Sequence, residues 1–260
     1  MLSRLRRAVN YCTAQRARIC LLMSVLCLPG CGKEPQLYQE QGYVFGTLVD
    51  VSVYGETEPR AKQAVSEVFQ EFQRLHDMLH AWQPGELGEL NEAFANGDSA
   101  AISAELVAIL KDATQLSQRS QGLFNPAIGG LVRLWGFQAD EFSSVQPDER
   151  EIAKLTQANP QMSDISIEDG RAQSKNNFVQ VDLGGYAKGY ALDHAAQLLR
   201  NQRISNALIN IGGNILAIGR HGDRPWRVGI QHPRKPGALA AIDLNDGEAI
   251  GTSGDYQRFF

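Results

Sequence analysis

From Pro59 onward, the apolar residues Ala61, Val65, Val68, Phe72, Leu75 and Leu79 recur at steps of four and three. That spacing predicts a helix of about six turns with a single apolar stripe. A stripe of this length is stable only when another layer covers it, so the chain must supply a sheet or further helices as its partner. A strand lies close by in sequence: Val49, Val51 and Val53 alternate with Asp50 and Ser52, giving one apolar and one wet face that end at Gly55. With 260 residues, 43% of them apolar, the chain can build a core as one domain or two closely packed ones.

The remaining pattern mixes helices and strands. Ser103 is placed as the N-cap of a helix carrying Leu106, Leu110, Ala113 and Leu116, which closes near Gly122. Residues 147–158 predict a shorter charged helix. Residues 178–182 predict a strand that passes through Gly184-Gly185 into a helix bearing Ala187, Tyr190, Ala191, Ala195 and Leu198. Residues 207–211, 215–218 and 226–230 predict three short strands separated by glycine or charged turns. The expected fold class is therefore α+β, with a mixed, largely antiparallel sheet and packed helices.

Charge is distributed unevenly. The first thirty residues hold Arg4, Arg6, Arg7, Arg16 and Arg18 and no acid, which leaves 20 basic against 29 acidic side chains in the body. A body of net charge -9 without a Lys/Arg-rich run is unsuited to the clustered phosphates of nucleic acid. The apolar run from Ile19 to Leu28 is too short to span a bilayer but matches the core of a signal peptide. Leu28-Pro29-Gly30-Cys31 then resembles the bacterial lipobox, although Pro29 is an uncommon second residue. Cys31 is the last of four cysteines, so one lipidated thiol accounts for the whole mature count. The expectation is a signal peptide over residues 1–30, a lipidated polar tether over 31–42, and a domain over 43–260 facing the periplasm on acyl chains. An ordinary signal peptide with an incidental cysteine is the alternative. Gly32, in place of aspartate, resembles the outer-membrane sorting preference, and the choice between inner and outer membrane stays open.

The most informative stretch is Val181-Asp182-Leu183-Gly184-Gly185-Tyr186-Ala187-Lys188-Gly189-Tyr190. Glycines at a helix entry let an anion approach backbone N–H groups that have no intrahelical acceptor, and the helix dipole favours negative charge there. Such a helix entry suits phosphate chemistry at Gly184 and Gly185. Lys188 stands about one turn in and is within reach of the same anion, while Asp182 is positioned to accept from a ribose or base. The other reading is a tight turn capped by Asp182, with Lys188 in solvent; the stretch matches neither the P-loop nor the dinucleotide fingerprint. Asn210-Ile211-Gly212-Gly213-Asn214 is a second glycine cluster, Trp82 is a candidate stacking platform beside Pro84 and Gly85, and residues 252–256 form a polar loop. His76 and His80 have the i, i+4 spacing of a helical zinc site but no third ligand, so they are assigned to the helix flank. No Gly-x-Ser-x-Gly nucleophile elbow occurs.

In this order, these pieces resemble the ApbE family of FAD:protein FMN transferases. The pieces are the strand Tyr43-Val44-Phe45-Gly46-Thr47, Leu79-His80-Ala81-Trp82 running to Leu90-Asn91, residues 122–130 with Trp135-Gly136-Phe137, residues 181–190, residues 210–213 with Trp226, and residues 252–256. The resemblance covers essentially the whole mature chain and implies an ApbE-like, T-fold-like domain. It also implies Mg²⁺-dependent cleavage of FAD, with covalent transfer of FMN to a threonine of an exported flavoprotein. By motif position Phe45, Trp82, Leu123, Phe124, Asn125, Asp182 and Lys188 would contact FAD, and the Gly185 carbonyl would face Mg²⁺.

Three departures from the family pattern stand out. Phe45 replaces a usual methionine and keeps an apolar wall. Asn125 replaces a common aspartate, which keeps hydrogen bonding but loses charge. Phe260 comes before the place where the family carries its His-x-Ile-Asp-Pro motif and the later aspartate and threonine of the magnesium site. The resemblance thus implies a domain shortened at its C-terminus, with the catalytic residues unassigned. A flavin-binding periplasmic lipoprotein without transfer is the alternative.

Overall fold

The computed structural model describes residues 36–138 and 146–254. Strands β1 (Leu37–Val44) and β2 (Thr47–Tyr54) form a hairpin, followed by helices α1 (Glu58–Leu79) and α2 (Glu86–Asn96). Next come β3 (Ser99–Ala101), α3 (Ala104–Arg119), the short α4 (Gly129–Leu134) and α5 (Glu149–Ala158). A 3₁₀ turn (Met162–Asp164) leads to β4 (Ile165–Glu168) and β5 (Arg171–Ser174). The chain continues through α6 (Gly184–Asn201), β6 (Ala207–Ile211), β7 (Asn214–Ile218), β8 (Trp226–Gln231), β9 (Ala238–Leu244) and β10 (Ala249–Gly251).

The main sheet has the order β1-β2-β6-β7-β10, and every pairing in it is antiparallel. A second sheet is ordered β3-β5-β4, and β8 pairs with β9. The α+β expectation with a largely antiparallel sheet holds. One side of α1 buries Ala61, Val65, Val68, Phe72 and Leu75 against Val49, Val51 and Val53 of β2 and against Ala191, Ala195 and Leu199 of α6. The stripe and its covering strand are thus the partners that their periodicities demand. A second core joins α2 and α3 to the three-stranded sheet and to Val179, Val181 and Leu183, directly below the entry to α6. A third joins Ile215 and Ala217 of β7 to Trp226, Val228 and Leu244. Among the described residues no helix is long and apolar enough to cross a membrane.

Ser103 caps α3 as expected: its Oγ accepts from the Leu106 N–H at 3.1 Å. The same hydroxyl donates to Glu86 Oε2 at 3.0 Å, and Glu86 Oε1 accepts from the Ser103 N–H, so this cap also ties α2 to α3. Ser103→Ala is expected to lower stability by about 1 kcal/mol. An unchanged urea midpoint would show that the cap contributes nothing.

Three expectations are corrected. Residues 37–42, assigned to the tether, belong to β1, in register from Leu37 opposite Tyr54 to Val44 opposite Thr47. The strand escapes a hydrophobicity reading because polar cross-strand pairs hold it: Gln39 Nε2 donates to Ser52 Oγ at 3.0 Å and Gln41 Nε2 to Asp50 Oδ1 at 2.6 Å. Tyr43-Val44-Phe45-Gly46-Thr47 is not one strand but the hairpin corner, with Phe45 and Gly46 at φ 56° and 67°. Residues 178–182 form no strand; they make a single parallel bridge, Gln180 to Ile128, and are held by backbone bonds to the 126–129 segment and by Asn91 of α2. Helix α2 is an addition: Leu87, Leu90, Asn91 and Phe94 are its buried face, spaced by three, one and three behind a Pro84-Gly85 turn that reads as loop. The leader, the lipobox, Cys31 and residues 255–260 lie outside the described residues.

Candidate functional site

The β1–β2 and β6–β7 hairpins run antiparallel through β2 and β6, so their two-residue turns, Phe45-Gly46 and Gly212-Gly213, fall at the same end of the sheet. Thr252, just beyond β10, reaches that end too, its N–H donating to the Gly213 carbonyl at 3.0 Å. Gly212 has φ +55°, and a Cβ there would stand 2.5 Å from Thr47 Oγ1, so the two turns fit together only without a side chain at this position. Phe45 takes the same left-handed region despite its bulk. Its ring makes edge contacts with Phe72 at 6.0 Å and His76 at 5.8 Å.

These turns, the end of α1 and the start of α6 surround a cavity of about 540 Å³, well within the range of small-molecule sites. Of the residues singled out from sequence, Phe45, Trp82, Asp182, Gly185 and Lys188 line it. Thr47, His76, His80, Val132, Phe137 and Gly212 also line it without having been assigned there. A period-two or period-3.6 pattern cannot show that two tight turns meet a helix end, so only the paired glycines hinted at Gly212.

Asp182 organises the entry to α6. Its Oδ1 accepts from the Gly184 N–H at 2.8 Å and its Oδ2 from the Trp82 indole N–H at 3.2 Å. The capping reading of Asp182 is therefore the observed one, and the Gly184 amide is already occupied. Among the described residues nothing accepts from the Gly185 N–H. Asp182 itself is held from below: its N–H donates to the Pro126 carbonyl at 2.8 Å. Its neighbour Val181 is gripped on both sides by buried Asn91, whose Oδ1 accepts from the Val181 N–H at 2.7 Å and whose Nδ2 donates to the Val181 carbonyl at 2.9 Å. Asn91 thus positions the strand-like lead into the site, a role that no sequence spacing reveals.

The segment Leu123-Phe124-Asn125 is not on the cavity wall. Leu123 is 94% exposed. Asn125 holds its own loop, donating to the Pro160 carbonyl at 2.9 Å and accepting from the Ala127 N–H at 3.1 Å. Phe124 is the nearest of the three, its ring 3.7 Å from where a Cβ on Gly185 would be. His76 and His80 meet edge to face at 5.1 Å, and His80 Nδ1 accepts from the Trp82 N–H at 3.1 Å, so His80 fixes the turn that presents the indole. Among the described residues the one cluster with metal-ligand spacing is Glu71, Glu105 and His194. It lies away from the cavity, and the Arg74 guanidinium already binds both carboxylates, at 2.7 and 2.8 Å. Hydrogen bonds from Arg74 hold the Glu71 and Glu105 carboxyls below the usual value of 4.5. Lowered folded-state values mean that this network stabilises fully above pH 4.5 and that its contribution fades as pH falls through the folded values. Arg74→Met is expected to flatten that acid limb of the stability curve; an unaltered limb would refute the assignment.

The fold is a five-stranded antiparallel sheet backed by two long helices, and the site is a small-molecule cavity where hairpin turns meet a glycine-started helix. The sequence model of the ApbE family matches residues 45–260, and the chain belongs to that family. A protein of Rhodobacter capsulatus named FAD:protein FMN transferase is 43% identical over 221 residues, 85% of this chain and 42% of that protein. One of the same name from Treponema pallidum is 32% identical over 265 residues, 94% of this chain and 72% of its own length. The chain thus spans less than half of the Rhodobacter relative. The crystal structure of the ApbE protein from Thermotoga maritima superposes with a TM-score of 0.77 at 27% identity, covering 86% of this chain and 72% of that one. The flavin transferase ApbE from Vibrio cholerae gives 0.74 at 26% identity, covering 86% and 73%.

Proposed function

We propose that this chain carries the flavin-binding body of an FAD:protein FMN transferase. Supporting it is the convergence of Phe45, Trp82, Asp182, Gly185 and Lys188 on one cavity at the start of α6, in a chain whose relatives bear that name. In the proposed reaction the threonine hydroxyl oxygen of an exported flavoprotein attacks the FMN phosphorus of FAD. The diphosphate P–O bond to the AMP side breaks, AMP leaves, and the hydroxyl proton passes to a base. Phe45 supplies an apolar wall and the Trp82 indole a flat face for a ring system. The Gly185 N–H and the Lys188 ammonium offset diphosphate charge, and Asp182 holds Trp82 and the helix entry in place.

An anion at this helix end meets the Asp182 carboxylate as well as the Gly185 amide, and a divalent cation would add to the Lys188 charge in offsetting that repulsion. Mg²⁺ suits the donors in kind: it takes oxygens, keeps several waters, and binds through one or two carboxylates plus substrate phosphates. Among the described residues, Asp182 and the Gly185 carbonyl would hold it, and when bound it would neutralise charge on the diphosphate oxygens. The same reading places the domain at the envelope, anchored through Cys31. Mass spectrometry of the mature N-terminus tests that anchor, and an unmodified Cys31 refutes it.

The activity test incubates the chain with FAD, Mg²⁺ and a threonine-bearing acceptor. AMP release together with covalent flavin fluorescence on the denatured acceptor is expected. FAD binding without either product selects flavin binding alone, and no binding rejects the assignment.

A further inference from the structure

A second depression, of about 950 Å³, runs along the outer side of α6 between α1 and α3. Its floor is a ladder of half-buried rings one helical turn apart. Tyr186 stacks on Tyr190 at 5.8 Å and 25°, and Tyr190 meets His194 at 4.3 Å. Its walls are acidic: Glu67 and Glu71 come from α1, Asp112 from α3 and Asp193 from α6, and among the described residues neither lysine nor arginine lines it. Glu71 is neutralised from behind by Arg74, which leaves Glu67, Asp112 and Asp193 to set the sign of the groove. Aromatic faces beside uncompensated carboxylates are the surroundings that lysine and arginine side chains prefer.

From Tyr186 to Gln202 the groove is about 24 Å long at the helical rise, enough for an extended strand of about seven residues. Its upper end lies at the first turn of α6, on the side of the helix opposite the residues that line the cavity. Tyr186 follows Gly185 in the first turn of α6, and its hydroxyl donates to Asp112 Oδ2 at 2.8 Å across the groove mouth. We propose that this groove docks a basic, extended segment of the polypeptide acceptor, on the outer face of the helix whose first turn lines the cavity. The proposal rests on the transferase reading for the acceptor's being a protein, while its charge preference comes from the groove alone.

The test is fluorescence anisotropy with a labelled Lys/Ser/Gly peptide of about seven residues, compared with its Glu/Ser/Gly counterpart, on the full chain. The basic peptide is expected to bind and to weaken as salt is raised, and the acidic one is expected not to bind. The double change Asp112→Asn and Asp193→Asn keeps an acceptor for Tyr186 and alters exposed groups only. It should weaken the basic peptide about tenfold while FAD affinity stays the same. Equal binding of both peptides, or an unaffected double variant, overturns the groove assignment. So does uptake of Mn²⁺ by Glu71, Glu105 and His194 with no peptide binding. A chain that takes the peptide but not FAD keeps the groove and sinks the transferase reading; one that takes FAD but not the peptide does the reverse.

Discussion

Asn91→Leu is expected to cost about 2–5 kcal/mol of stability and to loosen the flavin site at the same time. The side chain is 5% exposed and supplies both hydrogen-bond partners of Val181. Leucine fills much the same volume, so packing changes little, but it leaves a buried N–H and a buried C=O unmatched, each costing about 1–3 kcal/mol. Val181 precedes Asp182, whose two oxygens hold the α6 entry and Trp82. Weakened FAD binding should therefore accompany the stability loss, even though Asn91 is absent from the cavity wall. Urea unfolding followed by tryptophan fluorescence measures the first effect and flavin fluorescence titration the second. A midpoint within error of the parent, at unchanged slope, would show that the Val181 clamp is dispensable.

Lys188→Ala should weaken FAD by roughly 10- to 100-fold, equivalent to about 1.5–3 kcal/mol for one charge-assisted contact. The side chain lines the cavity one turn into α6 and brings a positive charge to this helix start. Because Asp182 already sits at the same helix end, losing the Lys188 charge removes a group that offsets its repulsion of a diphosphate. The loss should grow at low ionic strength, where screening is weakest, and Lys188→Arg should recover part of it. Equal affinities for the parent and Lys188→Ala would remove Lys188 from the diphosphate contacts.

Elements with a strong period were legible from the chain alone. Helix α1 was legible because six apolar residues share one face, α3 because its stripe begins at a capping serine, and β2, β6, β7 and β8 because short apolar runs sit between turn residues. Strand β1 was not, since its pairing is carried by glutamines and a tyrosine that read as tether. β3, β4 and β5 have three or four residues each, too short for a period to emerge. Of the residues that motif resemblance groups as flavin contacts, Phe45, Trp82, Asp182 and Lys188 line one cavity, while Leu123 is exposed and Asn125 bonds within its own loop.

The mixed helix-and-sheet class, the family resemblance and the glycine-started helix could be read along the chain, because each follows from residues adjacent in it or repeating along it. Three-dimensional packing alone settles that the Asp182 carboxylate binds the Gly184 amide while gripping Trp82 from 100 residues away. Only it decided that Asn91 holds Val181, that two hairpin turns close one cavity, and that Tyr186, Tyr190 and His194 floor an acidic groove. Hydrogen bonds and ring contacts between distant segments leave no period in a sequence, since any residue of the right shape satisfies them once the backbone has brought it within reach.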